Sequence, residues 1–290
     1  MANQIAKFKK YTDLLDEVYK NAAKTAVLES DATLARQGAN ANEIIIPKLD
    51  MDGLGDYDRN SGYVAGNVTM TNETVTFNYD RGRKFSVDNM DNEETAGLAF
   101  GKLAAEFIRT KVVPEQDAFR FAKYAELAGT KVSGTLAAGT DVLAALQTAI
   151  SAMDDAEVPT ENRHLFITPA LLVAAQNVDT SKSRDILGAF ASINKVPQAR
   201  FYTAIDLKDG KTSTEEAGGY AKAATAGKDI NFMIVEKSAV LQFTKHNVNK
   251  AIPPEDNPDA DAWIFNFREY GLADVYENKT AGIYLHHKAS

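Results

Sequence analysis

Lys245-His246-Asn247-Val248-Asn249-Lys250 opens the C-terminal region. Pro253-Pro254, Asp259-Ala260-Asp261-Ala262-Trp263, Phe265-Asn266-Phe267-Arg268-Glu269-Tyr270, Asn278-Lys279 and Gly282-Ile283-Tyr284-Leu285-His286-His287-Lys288 follow. From Trp263 the residues alternate. Trp263, Phe265 and Phe267 take one face and Asn266 and Arg268 the other, which is the period of a half-buried strand. Gly271 predicts a bend, and Leu272–Tyr276 and Gly282–His287 two further short strands. Trp263 reads as a core anchor. His286 and His287 point to opposite faces of their strand, so they do not share a metal, and both read as surface groups.

Upstream the pattern is α/β. Ile230–Val235, apolar except for Asn231, is a strong candidate for a buried strand, and His164–Thr168 predicts another strand, with Pro169 placed to start a helix reaching about Gln176. Phe201–Ile205 predicts a strand. Lys211–Lys228, rich in Gly, Ala and Thr, predicts a surface loop. Asp141 is positioned to cap a helix carrying Leu143, Leu146 and Ile150.

Between residues 91 and 128 apolar positions recur at helical spacing: Phe100, Leu103, Phe107 and Ile108, then Ala118, Phe119, Ala122 and Ala125. Asp91 and Glu94 have the spacing of a capping box, Pro114 predicts a kink or new start, and Gly129 predicts the end. Residues 43–88 read as strands. Glu43–Ile46 is a β-branched run, Asp50–Gly66 a long loop, and Val68–Tyr79 alternates with Val75, Phe77 and Tyr79 on one side. Asp80-Arg81-Gly82 is a turn signal that predicts a hairpin to a second strand, Arg83–Val87, with Phe85 and Val87 in phase. A two-stranded arm is marginal alone in water and needs a surface to lie on. In residues 1–40, Tyr11, Leu14, Leu15, Val18 and Tyr19 fit one helix face, and Lys7, Lys9, Lys10, Lys20 and Lys24 make the segment basic.

Composition narrows the function. A length of 290 residues supports a sizeable core, and 44% hydrophobic with 25% charged residues is ordinary for a globular protein. Cysteine is absent, which removes disulfides, thiolate metal sites and cysteine nucleophiles. No run of eighteen apolar residues predicts a membrane span. A net charge of −8 argues against a dedicated nucleic-acid binder, which carries a basic face.

Candidate chemistry is sparse. Asp56, Asp58 and Asn60 occupy the first, third and fifth positions of a calcium loop, but Ser61 stands sixth and Asn67 twelfth, so the acidic stretch 50–60 reads as a solvated turn. The four histidines, His164, His246, His286 and His287, form no metal or catalytic pattern.

The order of elements resembles that of tailed-phage major capsid proteins with the HK97-type fold. His164-Leu165-Phe166-Ile167-Thr168-Pro169-Ala170-Leu171 resembles the family's A-domain strand and following helix. Ile230–Val240 resembles its crossing from A- to P-domain, and the C-terminal block is the closest match. The resemblance implies an α+β fold with an N-terminal arm at 1–42, an extended β-hairpin E-loop at 43–90 and a P-domain spine helix at 91–129. An A-domain at 130–240 and returning P-domain strands at 241–290 complete it. It implies a non-enzymatic protein with no cofactor and no metal. The chain would self-assemble into pentamers and hexamers of an icosahedral shell around double-stranded DNA.

Implied partners are other copies, a separate scaffolding protein, a portal and weakly held packaged DNA, with no membrane. The implied locations are the virion capsid and, during assembly, the host cytoplasm. About 40 residues before the E-loop leave no room for a fused scaffolding segment. Lys48 and Lys84 lie where some relatives form covalent cross-links. Expected inter-subunit contacts are Val75, Phe77, Tyr79, Phe85 and Val87 of the arm, with Tyr11 and Leu15 of the N-terminal segment. Three alternatives stand beside this reading: an encapsulin-type nanocompartment shell, a metal-dependent cytosolic α/β enzyme using loop 50–60, and a carbohydrate-binding β module using Trp263.

Overall fold

The computed structural model describes residues 23–30, 36–37, 43–94, 103, 106–178 and 180–289. In chain order its strands are β1 (Arg36–Gln37), β2 (Glu43–Met51), β3 (Val68–Thr76), β4 (Tyr79–Asp88), β5 (Thr130–Ser133), β6 (Arg163–Ile167), β7 (Ser192–Lys195), β8 (Ile205–Leu207), β9 (Tyr220–Lys222), β10 (Ile230–Glu236), β11 (Val240–Ile252), β12 (Ala262–Val275) and β13 (Ile283–His287). The helices used below are α1 (Asn89–Glu94), α2 (Val113–Leu127), α3 (Gly139–Asp155), α4 (Pro169–Gln176) and α5 (Thr180–Gly188).

A five-stranded sheet, ordered β5-β13-β10-β6-β7, lies between two apolar layers. Alternation along β10 sets both faces. Met233 and Val235 join Phe166, Ile283 and Leu285 beneath Phe121 and Tyr124 of α2. Phe232 and Ile234 join Leu165, Ile167 and Tyr284 beneath α3, α4 and α5. A strand with both faces covered has no solvent side, so β10 is nearly all apolar between Ile230 and Val235 rather than alternating, with Asn231 the exception. Pro169 starts α4 as expected. Asp141 lies at the third residue of α3, where its carboxylate accepts a hydrogen bond from the Ala138 amide at 3.0 Å.

A second, three-stranded antiparallel sheet is ordered β11-β12-β4. It corrects several expectations. Asp80-Arg81-Gly82 is no turn: the three residues lie inside β4, paired with Tyr270, Glu269 and Arg268 of β12. Gly82 is there because the backbones approach closely, and a Cβ at this position would sit 2.7 Å from the Phe267 carbonyl oxygen. β12 runs without a break through Gly271, and the irregularity falls on its partner, where Lys245 is the extra residue between the pairs Thr244–Gly271 and His246–Tyr270.

The C-terminal strand β13 does not belong to this sheet. It lies between β5 and β10 in the five-stranded one, so the region from 241 onward serves both sheets.

The spine is continuous across Pro114. A π-helical turn, Ile108–Val112, runs into α2, and the Val113 amide bonds to the Ile108 carbonyl five residues back. Pro114 then falls in the first turn of α2, where its missing N–H costs nothing. Asp91 lies inside α1, and the capping contact comes from Asp88, which accepts from the Met90 amide at 2.9 Å. Residue 201 begins no strand: Gln198–Arg200 is a 3-10 turn and the strand is β8. Its partner β9 lies within the expected surface loop.

Candidate assembly surface

The projecting element is the hairpin β2–β3, nine residues on each side, with loop 52–67 at its tip. The expected partner of β3 was the strand after Asp80; the structure pairs β3 with β2 instead. Register determines what each face carries, because residues directly opposite in an antiparallel pair share a face. At the base, Ile44 lies opposite Val75 and Ile46 opposite Glu73. Ile44, Ile46 and Val75 are buried against Leu241, Phe243 and Leu272 of β11 and β12.

Farther out, that same face becomes polar, with Lys48 opposite Thr71 and Asp50 opposite Thr69. The apolar character moves to the other face, where Leu49 lies opposite Met70 and Met51 opposite Val68. These four side chains are 58–68% exposed. The arm is thus fixed at its base by one apolar face and offers the opposite apolar face at its end.

Lys48 marks the changeover. Its ammonium pairs with Glu73 at 3.1 Å and with Glu277, which ties the hairpin to the body of the chain. The Glu277 hydrogen bond raises the Lys48 pKa above the ordinary lysine range, against a smaller opposing effect of burial. The tip is held together locally. Asp58 accepts from the Asn60 amide and the Ser61 hydroxyl, both at 2.8 Å, and Asp52 accepts from the Asn67 amide at 2.7 Å. Hydrogen bonds to its charged form hold the Asp58 pKa below the usual carboxylate range. Among the described residues no three His, Asp or Glu side chains are grouped to hold a metal ion.

The contact residues expected from the sequence lie elsewhere. Val75 belongs to the buried base of the hairpin. Phe77 stacks on Tyr270 at 4.9 Å, with the Lys245 ammonium 4.9 Å above its ring. Tyr79 is buried beside Phe119, and its hydroxyl donates to Glu115 at 3.5 Å; burial pushes its pKa far up. Phe85 packs edge-on to Phe107, and Val87 is buried opposite Trp263 in the β4–β12 ladder. Val75, Tyr79 and Val87 are therefore buried by their own chain and Phe77 and Phe85 half-buried; for Tyr79, Phe85 and Val87 the reason is that β4 belongs to the body sheet and is not half of a free arm. Tyr11 and Leu15 lie outside the described residues.

One functional cluster escaped the sequence reading. The segment 23–30 is clasped onto α2 and β11. Asp117 accepts from the amides of Lys24 and Thr25, from the Thr25 hydroxyl at 2.8 Å and from Arg200 at 2.8 Å. Arg120 donates to the Thr25 hydroxyl, and Gln242 donates to the Thr25 carbonyl while accepting from the Tyr124 hydroxyl. The available signal was Asp117 and Arg120 standing among the apolar residues of a helix.

Of the two histidines expected at the surface, His287 is half-buried and His286 lies inside. His286 is buried, stacks on Phe232 at 5.1 Å and accepts at Nδ1 from the Asn231 amide at 3.0 Å. Burial lowers its pKa, as it does for His164, whose Nδ1 lies 2.7 Å from the Ser192 hydroxyl. In both, burial favours the neutral ring. Among the described residues no helix is long and apolar enough to cross a membrane.

No family model and no curated protein sequence matches the chain. Solved structures do. A structure from Mycobacterium phage Che8 superposes with a TM-score of 0.66 at 13% identity, covering 99% of this chain and 98% of that one. The mature capsid of bacteriophage PhiM1 gives 0.66 at 11% identity, covering 100% and 93%. The capsid of cyanophage P-SCSP1u gives 0.63 at 13% identity, covering 98% and 93%. Over its whole length this chain has the fold of phage capsid structures.

Proposed function

We propose that the chain is the major capsid protein of a tailed phage, of the HK97-type, and that it builds an icosahedral shell around double-stranded DNA. The observation that carries the proposal is the hairpin whose outer half presents Leu49, Met51, Val68 and Met70 to solvent on one face. A monomer gains nothing from that face. Fully burying such a side chain on a neighbour is worth roughly 1.5–3 kcal/mol.

A hairpin of one copy lying on a different surface of the next is a heterologous contact, which closes into rings. Rings of five and six copies, joined into a shell, would be the product. The net charge of −8 supports a lining that repels packed DNA rather than binding it. Scaffolding and portal proteins would be separate partners, and assembly would take place in the host cytoplasm. The protein's role is structural, without catalysis.

Electron microscopy of purified protein tests this reading: shells or capsomers are expected. Replacing 52–67 with a two-residue turn, together with Leu49→Asp and Met70→Asp, should leave a folded protein that does not assemble. A longer deletion through Lys84 would remove residues that pair with β12 and would unfold the chain. A wild-type chain that remains monomeric at high concentration overturns the reading.

A further inference from the structure

The tip of the hairpin and one groove of the body carry complementary charge, each beside apolar side chains. The groove, about 550 Å³, lies between the C-terminal half of α2 and the β8–β9 ribbon. Phe119, Ile205, Leu207 and Leu285 line its apolar part. Lys123, Lys131 and Lys228 stand around it against one carboxylate, Glu126. A cationic groove is unusual on a chain of net charge −8, and it selects an acidic visitor.

Loop 52–67 has the matching chemistry. Leu54 is fully exposed, and Tyr57, Tyr63 and Val64 are exposed beside it. In sequence Asp50, Asp52, Asp56 and Asp58 flank Leu54, and Arg59 is the one cation within residues 50–60. The loop's hydrogen bonds close within the loop. By sequence, residues 1–22 carry Lys7, Lys9, Lys10 and Lys20 against Asp13, Asp16 and Glu17, so they lack the net negative charge that the lysines of the groove favour.

We propose that the groove between α2 and the β8–β9 ribbon receives the acidic tip of the hairpin of a second copy, with Leu54 as its apolar anchor. The proposal rests on the capsid reading and adds the receiving surface to it. The apolar contact supplies affinity, and the carboxylate–lysine pairs supply orientation and a dependence on salt.

The test uses the absence of cysteine. Two full-length proteins, Leu54→Cys and Ala226→Cys, are mixed under assembly conditions and oxidised, one carrying a short tag so that mixed and like pairs separate on a gel. Ala226 is an exposed residue of the groove wall. A mixed disulfide dimer is expected, at least about fivefold above a control pairing Leu54→Cys with the exposed Thr148→Cys on α3. Shells that form without the link overturn the groove and leave the capsid reading standing; wild-type protein that forms no assembly overturns both.

If a cysteine itself blocks assembly, charge reversal decides. Asp56→Lys and Lys228→Glu should each lower the yield of shells at low salt, and the double variant should restore it. Failure of the double variant to recover overturns the pairing.

Discussion

Arg200 and Asp117 form an ion pair withdrawn from water: Arg200 Nη1 lies 2.8 Å from Asp117 Oδ2, and the two side chains are 4% and 0% exposed. The same carboxylate receives the Lys24 and Thr25 amides, so a single side chain holds α2, the turn after β7 and the N-terminal segment together. Asp117→Ala should cost about 3–5 kcal/mol, since Arg200 and two amides would be left buried without their acceptor. Denaturant unfolding measures the loss, and faster hydrogen exchange at Lys24 and Thr25 locates it.

Phe121 on α2 is fully buried, with its ring 5.2 Å from Phe166 and 4.9 Å from Phe201, both edge-on. Phe121→Ala should cost about 3–5 kcal/mol. Leu54→Ala, at the exposed tip, should change stability by less than about 0.5 kcal/mol while lowering the yield of assembled particles. Melting curves and sedimentation of the two variants separate a core residue from a contact residue.

Gly139 begins α3 against the end of α4, and a Cβ there would lie 2.1 Å from the Ala174 carbonyl oxygen. That oxygen belongs to a helix backbone and has nowhere to move. Gly139→Ala should destabilise by more than about 2 kcal/mol, with a fall in soluble yield and in the thermal midpoint.

Glu269 is buried between α2 and the β11-β12-β4 sheet and accepts from Gln116. Burial raises its pKa, partly offset by Arg120. In the window between the ordinary carboxylate pKa and this raised value, the folded state binds more protons than the unfolded one. Stability therefore falls as pH rises through that window. Asp274, also raised chiefly by burial, acts in the same direction. Glu269→Gln keeps an acceptor for Gln116 and removes the penalty. Urea unfolding from pH 4 to 8 should show a flatter profile and greater stability at pH 7 than wild type, and an unchanged slope would refute the assignment.

Elements whose type is set by local pattern were legible in the chain. β6, β10 and the Pro169 start of α4 follow from run length, branching and proline position, and the C-terminal alternation does describe β12. Pairing was less legible. Asp80-Arg81-Gly82 has the composition of a turn, yet its partner is a strand about 190 residues away, and that strand makes a glycine in β4 necessary for close approach. The side chains expected at subunit contacts include Val75, Tyr79 and Val87, which the chain itself buries, because alternation shows that a strand has two faces and not which one its own body covers.

The amino-acid order by itself determined β6, β10, the alternation of β12 and the start of α4, the absence of thiol chemistry, an acidic chain, and a resemblance to capsid proteins that the fold comparison supports. Only the tertiary structure decided that β4 joins the body, that β13 crosses into the five-stranded sheet, that Asp117 clasps the N-terminal segment, and that the apolar side of the hairpin changes face at Lys48. The physical reason is range. Side-chain periodicity acts over a few residues, whereas strand pairing and burial depend on which distant backbone fills a given space, and a one-residue change in register exchanges the buried face for the exposed one.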